Sequence, residues 1–463
     1  MSKVPTPPRG VSGKLNADAN VNLGIPEKLA YGAGNFSYSI VWLPILSFLN
    51  FFWTDVAMIP AATAGIFLTV SKLWDAFNDP VIGSFEDRCN TRFGRYRPWL
   101  WTWIGIVIFF VLTFTKLEGV SQLTQNIFSF VMYCLLIIFY TTYEMAHVSL
   151  MSVMTTNYGC RSKLASYRMT FSNVSGVFLA SIFMGLVAYF GTESQGTGYI
   201  VACVVLSVVA IPFFLWCFFG TKERVKPEPG PKTTMITAFK TVFHCKPALI
   251  LAIAHMCWGI TGGALSAARQ YFYVYYIGDA AMFTVGLTTW LAGMAVGSWA
   301  ANWLVGLFKS KRTIAVILWG ITGVMLLLMN VIPVYEYSML AFHVMWFLEG
   351  AMGCVGFTAL FAMVPDVVEY EQERGGGRTS ASIYSIINFA MKAGQAIVIG
   401  ILNLVMGALG YVPNIVQNEA VLATLNAGMH AVPGVFFIIG AILFYFYKID
   451  RSSHEASLAK LQG

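Results

Sequence analysis

Charged residues are scarce in this sequence, and their scarcity excludes most soluble folds. Lys, Arg, Asp and Glu make up 11% of the 463 residues, whereas soluble domains carry about 25%. Strand-length segments of alternating polarity, which are typical of transmembrane β-barrels, are also missing. The sequence contains instead a series of apolar runs, each long enough to cross a hydrocarbon core of about 30 Å as a helix. We therefore predict an all-α polytopic membrane protein.

Motifs of several other membrane-protein classes are absent as well. There is no Walker A sequence of an ATP-driven pump and no repeated selectivity motif of a channel. The eight cysteines form no CxxC or Cys/His ligand spacing, so we interpret them as reduced apolar fillers. No nucleophile–base pair or cofactor fingerprint occurs at helical spacing within the apolar runs. We therefore predict neither enzyme activity nor a cofactor.

Twelve membrane spans are predicted, and the longest polar break follows the sixth. The first 22 residues lack an apolar segment with a cleavage site, so they predict a disordered cytoplasmic tail rather than a signal peptide. Two related six-helix halves around a midplane site are typical of secondary transporters. The spans cover residues 30–53, 61–84, 99–116, 125–151, 164–190, 198–219, 248–275, 283–307, 313–333, 338–364, 380–408 and 429–448. The predicted regions are a tail at 1–22, a six-helix half at 23–219, a central loop at 220–247, a second half at 248–448 and a tail at 449–463.

The charges of the connecting loops predict the orientation in the membrane. Lys and Arg concentrate in alternate loops, whereas the loops between them carry mainly acids such as Asp279 and Glu336. By the positive-inside rule, the basic loops and both termini are cytoplasmic. This placement explains the net charge of +7 without a nucleic-acid partner. We expect a monomer in the cell (inner) membrane, with the lipid bilayer and a small molecule as partners.

Two carboxylates lie within the second predicted span. Asp75 and Asp79 are four residues apart and so share one face of a helix. Asn78 lies beside them, and Lys72 a turn earlier. A carboxylate at hydrocarbon depth costs roughly 2.5–3.5 kcal/mol on insertion scales, which indicates that the pair binds something. Carboxylate and amide oxygens suit a hard cation, and a carboxylate can also hold a proton. The alternative is that Lys72 simply neutralises Asp75 as an ion pair inside the bundle.

Several separated segments resemble a known family. Residues 83–97 contain an acid one turn after a glycine and then a basic cluster, which resembles the signature loop of the major facilitator superfamily. Over nearly its whole length the chain is similar to the glycoside–pentoside–hexuronide:cation symporters, a family that includes melibiose permease. The segments that carry the similarity are Tyr31–Asn35, Phe52–Asp55, Trp74–Pro80, Arg92–Trp99, Thr141–Leu150, Arg161–Arg168, Val364–Tyr370, Ala390–Ala396 and Gly410–Asn414.

The resemblance implies a coupling-cation site in the second span. In that family the span-two acids and their amide bind the cation with help from a span-four hydroxyl. The corresponding residues for Na⁺, Li⁺ or H⁺ are Asp75, Asn78, Asp79 and Thr141, with Asp75 and Asp79 as metal ligands if the cation is Na⁺.

The resemblance also implies a sugar site next to the cation site. It carries over as Glu144 and Arg168, with Lys392 facing them from the second half. Thr141 and Glu144 are three residues apart, so one helix face can contact both ligands and couple their binding. We expect Asn388 and His147 to line this pocket too, although His147 fits equally a packed interior histidine.

Departures from the melibiose permease pattern favour an anionic sugar. Asn35, Tyr38 and Ser39 are further candidate substrate residues. Tyr38 and Ser39 replace the basic–acidic pair that melibiose permease places on the first span for its sugar, and Asn35 stands where many relatives have aspartate. With these acids missing, fewer negative charges neutralise the basic residues of the pocket. The basic residues are Arg168 and Lys392, together with Arg269 if its side chain also lies in the pocket. Because an arginine fork matches a carboxylate or sulfonate bidentately, we favour a hexuronide or a sulfosugar glycoside. A neutral oligosaccharide, and export or exchange of a small organic anion, are the alternatives.

We predict that charged residues near the cytoplasmic ends of the spans form a gate. Such residues can form ion pairs in one state and release them in the other. For those after the tenth span, a solvated charged turn is the alternative. The predicted gate residues are Asp87, Arg88, Arg95, Asp366 and Glu369.

Overall fold

Helices account for nearly all of the secondary structure. The computed structural model describes residues 21–89, 91–155, 157–192, 194–225, 243, 245–308, 310–373 and 380–447. In this part of the chain the backbone forms helices joined by loops, with one β-bridge between Thr91 and Gly94. The predicted all-α fold is confirmed here. The side chains of four predicted site residues lie outside the described part: Asp79, Asp87, Arg88 and Glu369.

The helices are labelled α1 to α12 in chain order. π-Helical turns extend α1 and α7 and interrupt α12, and a 3₁₀ segment at Arg97–Thr102 leads into α3. The bounds are α1 Ile25–Phe51, α2 Ala61–Arg88, α3 Trp103–Thr113, α4 Gln122–Met154, α5 Tyr158–Phe190, α6 Gln195–Gly220, α7 Lys246–Tyr271, α8 Ala281–Phe308, α9 Lys311–Val331, α10 Met339–Glu373, α11 Ser380–Ala408 and α12 Glu419–Phe446.

Ten helices in the described ranges are long and apolar enough to cross a membrane. The two outside this set are α2, which carries the charged stripe of Lys72 and Asp75, and α3, which is short. A total of twelve spans, with both termini in the cytoplasm, therefore stays a prediction. The predicted tails and most of the predicted central loop lie outside the described residues.

Two helices differ most from their predicted bounds. α12 begins at Glu419 rather than at residue 429, because the Asn418 side chain caps it by accepting a hydrogen bond from the Val421 backbone N–H at 2.9 Å. α10 continues to Glu373 rather than ending at residue 364. Apolar runs mark the part of a helix that faces lipid or core, so they miss polar turns that extend beyond it.

Packing divides the helices into an N-terminal and a C-terminal set. Within the first set, α1 packs on α5 and α6, and α3 packs on α4. Within the second, α8 packs on α10, α7 on α11 and α9 on α12. The sets meet where α2 contacts α11, α1 contacts α7 and α5 contacts α8. Side chains on these six helices can therefore line a site between the two halves.

Small residues let α2 and α11 approach closely. A Cβ atom on Gly65 would collide with the Asn403 side chain, and one on Gly400 would collide with Thr69. Thr69 also donates a hydrogen bond from Oγ1 to the Ala396 carbonyl at 3.1 Å. Close approach through small residues and hydroxyl bonds is a common way to join helices in a membrane.

A carboxylate after α6 organises the loop between α2 and α3. Glu223 accepts hydrogen bonds from the backbone N–H groups of Arg95, Tyr96 and Arg97 at 2.9, 2.8 and 2.8 Å. The preceding residue, Gly94, has a φ of 116°, which L side chains rarely adopt. Successive N–H groups that converge in this way form an anion-binding nest. Glu223 therefore ties the predicted signature loop to the end of α6.

We expect Glu223→Ala to lower the free energy of unfolding by about 2 kcal/mol, because three charge-assisted backbone bonds lose their acceptor. Thermal unfolding of the purified protein in detergent measures the change. Glu118→Ala is the matched control, since Glu118 is exposed in the loop between α3 and α4. Equal melting temperatures for the two variants would contradict the structural role of Glu223.

Candidate functional site

Asp75 lies in the interface between the two halves. It is buried on α2 and accepts a hydrogen bond at Oδ1 from the Thr141 hydroxyl of α4, at 2.8 Å. Its Oδ2 lies 3.0 Å from Lys392 Nζ, which comes from α11. Asn78, one turn further along α2, is also buried, and its Nδ2 has no hydrogen-bond partner among the described atoms. The structure thus brings together three of the four predicted cation ligands.

From the sequence, an ion pair between Lys72 and Asp75 is the alternative to cation binding. The structure shows no such pair. Its ammonium lies 4.6 Å from the centroid of the Trp42 ring, and the side chain is buried. Among the described carboxylates, none lies within the 4.0 Å of an ion pair with Lys72. The cation–π contact stabilises the charge, and Asp75 is paired across the interface instead.

A second polar cluster surrounds Arg168 on α5. Its Nε donates to Asn35 Oδ1 at 2.9 Å, and its Nη2 donates to the Tyr38 hydroxyl at 3.0 Å. The same Nη2 lies 4.0 Å from Glu144 Oε1. Asn35 also donates to the Arg168 backbone carbonyl at 3.0 Å. Glu144 follows Thr141 by three residues on α4, so this cluster adjoins the Asp75 centre.

Three further predicted substrate residues occupy different positions. The Ser39 hydroxyl lies 3.3 Å from the hydroxyl of Ser172, one turn beyond Arg168 on α5. Asn388 is exposed on α11, four residues before Lys392. His147 is fully buried, and its ring stacks on Tyr31 with centroids 4.4 Å apart. Its Nε2 also lies 2.9 Å from the Tyr31 carbonyl, so His147 packs behind the pocket.

Arg269 lies apart from the Arg168 cluster. It is buried on α7, and its guanidinium carbon is 4.1 Å from the centroid of the Trp290 ring and 5.4 Å from that of Trp346. It lines a cavity between the two halves together with Glu349 of α10. Sequence spacing could not predict the distance between Arg269 and the other basic residues, because they lie on helices far apart in the chain.

The predicted gate residues that can be described have partners within their own half. Asp366 of α10 forms an ion pair with Lys311 of α9 at 2.9 Å. Arg95 donates its backbone N–H to Glu223. The side chains of the other three predicted gate residues lie outside the described part of the chain.

Sequence reasoning missed a hydrogen-bonded cluster at the end of α1. Asp55 accepts hydrogen bonds from the hydroxyls of Thr54 at 2.6 Å, Tyr411 at 2.6 Å and Tyr275. Asn414 donates from Nδ2 to the Asp55 carbonyl at 3.0 Å. Burial, followed by the neighbouring Tyr271 and Asp55, raises the pKa of Tyr411, so its hydroxyl stays a donor. We call these contacts the Asp55 cluster.

The Asp55 cluster joins the two halves at one end of the bundle. Thr54 and Asp55 belong to the N-terminal half, whereas Tyr275 and Tyr411 belong to the C-terminal half. The signal that points to it in the sequence is an acid directly after a long apolar run, combined with Tyr411 and Asn414 in a loop far along the chain. No spacing rule connects residues so distant.

Comparisons with known structures identify the class of fold. A bacterial homologue of the human lysosomal transporter Spinster, in an inward-facing and unoccupied conformation, matches with a TM-score of 0.62 at 14% identity over 94% of this chain and 97% of the other. A structure from work on proton-dependent oligopeptide transporters matches with a TM-score of 0.66 at 10% identity, over 94% and 99% of the two chains. The chain shares its overall fold with these two transporter structures.

The chain belongs to the MFS/sugar transport protein family, whose sequence model matches residues 30–451. The predicted resemblance is thereby confirmed, and the protein is a multi-pass membrane transporter rather than an enzyme. It is 28% identical to the isoprimeverose transporter of Lactiplantibacillus pentosus over 92% of this chain and 89% of that one. It is 27% identical to the glucuronide carrier protein homolog of Escherichia coli over 93% of each, and 28% identical to the symporter YnaJ of Bacillus subtilis over 95% of each.

The Asp55 cluster leads to a prediction about how readily a reagent enters the cavity from this end of the bundle. Tyr411→Phe removes one donor to a buried carboxylate, so we expect the Asp55 end to open more often, by about tenfold in equilibrium. A cysteine introduced at Ser47, which lines the cavity between the halves, should then react faster with an impermeant maleimide. The reagent is added from the side of the membrane that the Asp55 end faces.

Tyr335→Phe is the matched control for this experiment. Tyr335 donates a hydrogen bond to Glu336 within the loop between α9 and α10, at 2.9 Å. The protein without the introduced cysteine gives the background from its native cysteines. An unchanged rate in Tyr411→Phe, or an equal rise in Tyr335→Phe, would show that the cluster does not hold this end closed.

Proposed function

We propose that the protein is a cation-coupled symporter that imports a sugar or glycoside by alternating access. The observation that carries the proposal is the position of Asp75. This carboxylate is buried between Thr141 of the N-terminal half and Lys392 of the C-terminal half. A change in its charge therefore acts on the contact between the halves.

Lys392 supplies a physical route for coupling. Its ammonium lies 3.0 Å from Asp75 Oδ2, where it offsets the same negative charge that Na⁺, Li⁺ or H⁺ would offset. When a coupling cation binds Asp75, with Asn78 and Thr141 as neutral oxygen ligands, the attraction that holds Lys392 is weakened. The ammonium is then available to donate to a substrate oxygen. Cation and substrate thus favour each other's binding, as reciprocal linkage requires.

The Arg168 cluster supplies the substrate site in this proposal. Its guanidinium donates, Glu144 accepts, and the Tyr38 hydroxyl can do both. Paired donors and acceptors match the hydroxyls of a sugar ring. The Arg168 and Glu144 side chains are partly exposed, at 25% and 39%, so a ligand can reach them. The relatives that are named for isoprimeverose and for a glucuronide support a substrate of this class.

We further propose that the substrate is an anionic sugar such as a hexuronide or a sulfosugar glycoside. Arg168 is only loosely offset by Glu144, at 4.0 Å, so its guanidinium keeps charge for a carboxylate or sulfonate. A neutral oligosaccharide is the second candidate. It is favoured by the pairing of Lys392 with Asp75, which leaves less positive charge at the interface. Export or exchange of a small organic anion requires the same residues with a reversed gradient.

The coupling proposal predicts the behaviour of Asp75→Asn. We expect uptake into proteoliposomes to fall by about tenfold or more, and substrate binding to stop responding to Na⁺, Li⁺ and pH, because the variant lacks the charge that attracts the cation. Labelled isoprimeverose and phenyl glucuronide serve as probes. Asp279→Asn, in the loop after α7, should retain the wild-type cation response. A cation response that survives in Asp75→Asn would contradict the coupling site.

The anionic preference predicts a difference between two matched ligands. We expect phenyl glucuronide to bind about tenfold or more tightly than phenyl glucoside, since only the first carries a carboxylate for the Arg168 fork. Arg168→Lys keeps the charge and loses the fork, so it should reduce this ratio. Calorimetry on the purified protein measures both affinities. Tighter binding of the glucoside would favour the neutral oligosaccharide instead.

A further inference from the structure

A cavity of about 320 Å³ lies between the two halves, next to the Arg168 cluster. On the N-terminal side it is lined by Ser172, one helical turn beyond Arg168, and by Asn173. The Ser172 hydroxyl lies 3.3 Å from that of Ser39, the residue after Tyr38 of the Arg168 cluster. On the C-terminal side, the wall includes Gln395, three residues after Lys392.

Two buried charges of opposite sign face this cavity from the C-terminal half. Arg269 is 6% exposed and Glu349 is 2% exposed, and both line the space. The Arg269 Nη2 group has no hydrogen-bond partner, although it is buried. Glu349 accepts a hydrogen bond from the Trp290 indole N–H. Among the described side chains, no ion pair within 4.0 Å joins Arg269 to Glu349 or to any other acid.

A purely structural ion pair would bring these two groups into contact. Burying a guanidinium N–H without a partner is unfavourable, yet Arg269 and Glu349 line the same cavity without forming an ion pair with each other. A ligand hydroxyl can accept from the Arg269 guanidinium and donate to the Glu349 carboxylate. Because the two charges offset each other, this arrangement suits a neutral polyhydroxylated group. The indole of Trp258 adds an apolar wall of the kind that small-ligand pockets use.

We infer that this cavity is a second subsite, which binds the neutral hydroxyl-bearing unit of a glycoside whose first unit lies at Arg168 and Glu144. The inference rests on the proposed transport of sugars and adds to it that the preferred substrate has two units. The cavity volume is at the lower end of the range for small-ligand sites, which suits one sugar ring. Arg269 and Glu349 are then specificity-determining residues for the second unit.

Gly262 allows a steric test of the second subsite. It lines the cavity, and a Cβ atom added to it would meet nothing within 4 Å. Gly262→Leu should therefore place its side chain in the cavity and fill part of it. Gly185→Leu is the matched control, because Gly185 is exposed on α5 and a Cβ there also meets nothing within 4 Å.

The probes are the methyl glycosides of xylose, glucose and glucuronic acid, each compared with the disaccharide in which glucose replaces the methyl group. We expect the wild-type protein to bind at least one disaccharide about tenfold more tightly than its methyl glycoside, because of the added hydrogen bonds. Gly262→Leu should abolish this preference while methyl glycoside affinity changes less than twofold. Gly185→Leu should behave like the wild-type protein. Calorimetry or tryptophan fluorescence on the full-length protein measures the affinities.

A double variant, Arg269→Gln with Glu349→Gln, gives a second test that leaves no buried charge unpaired. It should lose the disaccharide preference and retain methyl glycoside binding. If both variants keep the wild-type ratio, or if the wild-type protein prefers the methyl glycosides, the subsite is wrong while sugar transport stands. If the wild-type protein binds none of the sugars, the proposed function is wrong and the subsite falls with it.

Discussion

The bundle depends on the pairing of charges that would be costly alone at hydrocarbon depth. An isolated ion there costs roughly 2.5–3.5 kcal/mol on insertion scales, so each interior charge needs an opposite charge or polar partners. Asp75 forms an ion pair with Lys392 of the other half. Arg168 donates to Asn35 and Tyr38, and its Nη2 lies 4.0 Å from Glu144 Oε1. In the proposed mechanism, a ligand has to replace the contacts that make these charges tolerable. Stability and the proposed ligand binding then use the same side chains.

The two halves are joined along one continuous surface. It begins at the Asp55 cluster and continues where α2 and α11 approach each other through Gly65 and Gly400. It reaches Asp75 and Lys392, beyond which Asn388 on α11 is exposed. The charged centre thus lies where the joined surface meets accessible space. A change of charge at this point alters the contact between the halves more directly than a change in the middle of either half.

Helical spacing and family resemblance were enough to predict which residues meet within the N-terminal half. Asp75 and Thr141 do form a hydrogen bond, and Arg168 does lie beside Glu144. Local spacing did not show that Lys392 would form an ion pair with Asp75 across the two halves. Local spacing also did not predict the role of Glu223. That role depends on three backbone N–H groups, which the folded loop directs at the Glu223 carboxylate. Backbone donors carry no signal in the amino-acid sequence.

The sequence alone determined the membrane location, the helical class, the family and the face of α2 that carries the carboxylates. These properties follow from hydropathy and helical period, which are local along the chain. Tertiary packing places Arg269 with Glu349 at a separate cavity rather than with Arg168. The same packing brings Asp55 and Tyr411 together across the bundle. Both pairings link helices far apart in sequence, and packing between the two halves, rather than any local pattern, brings them together.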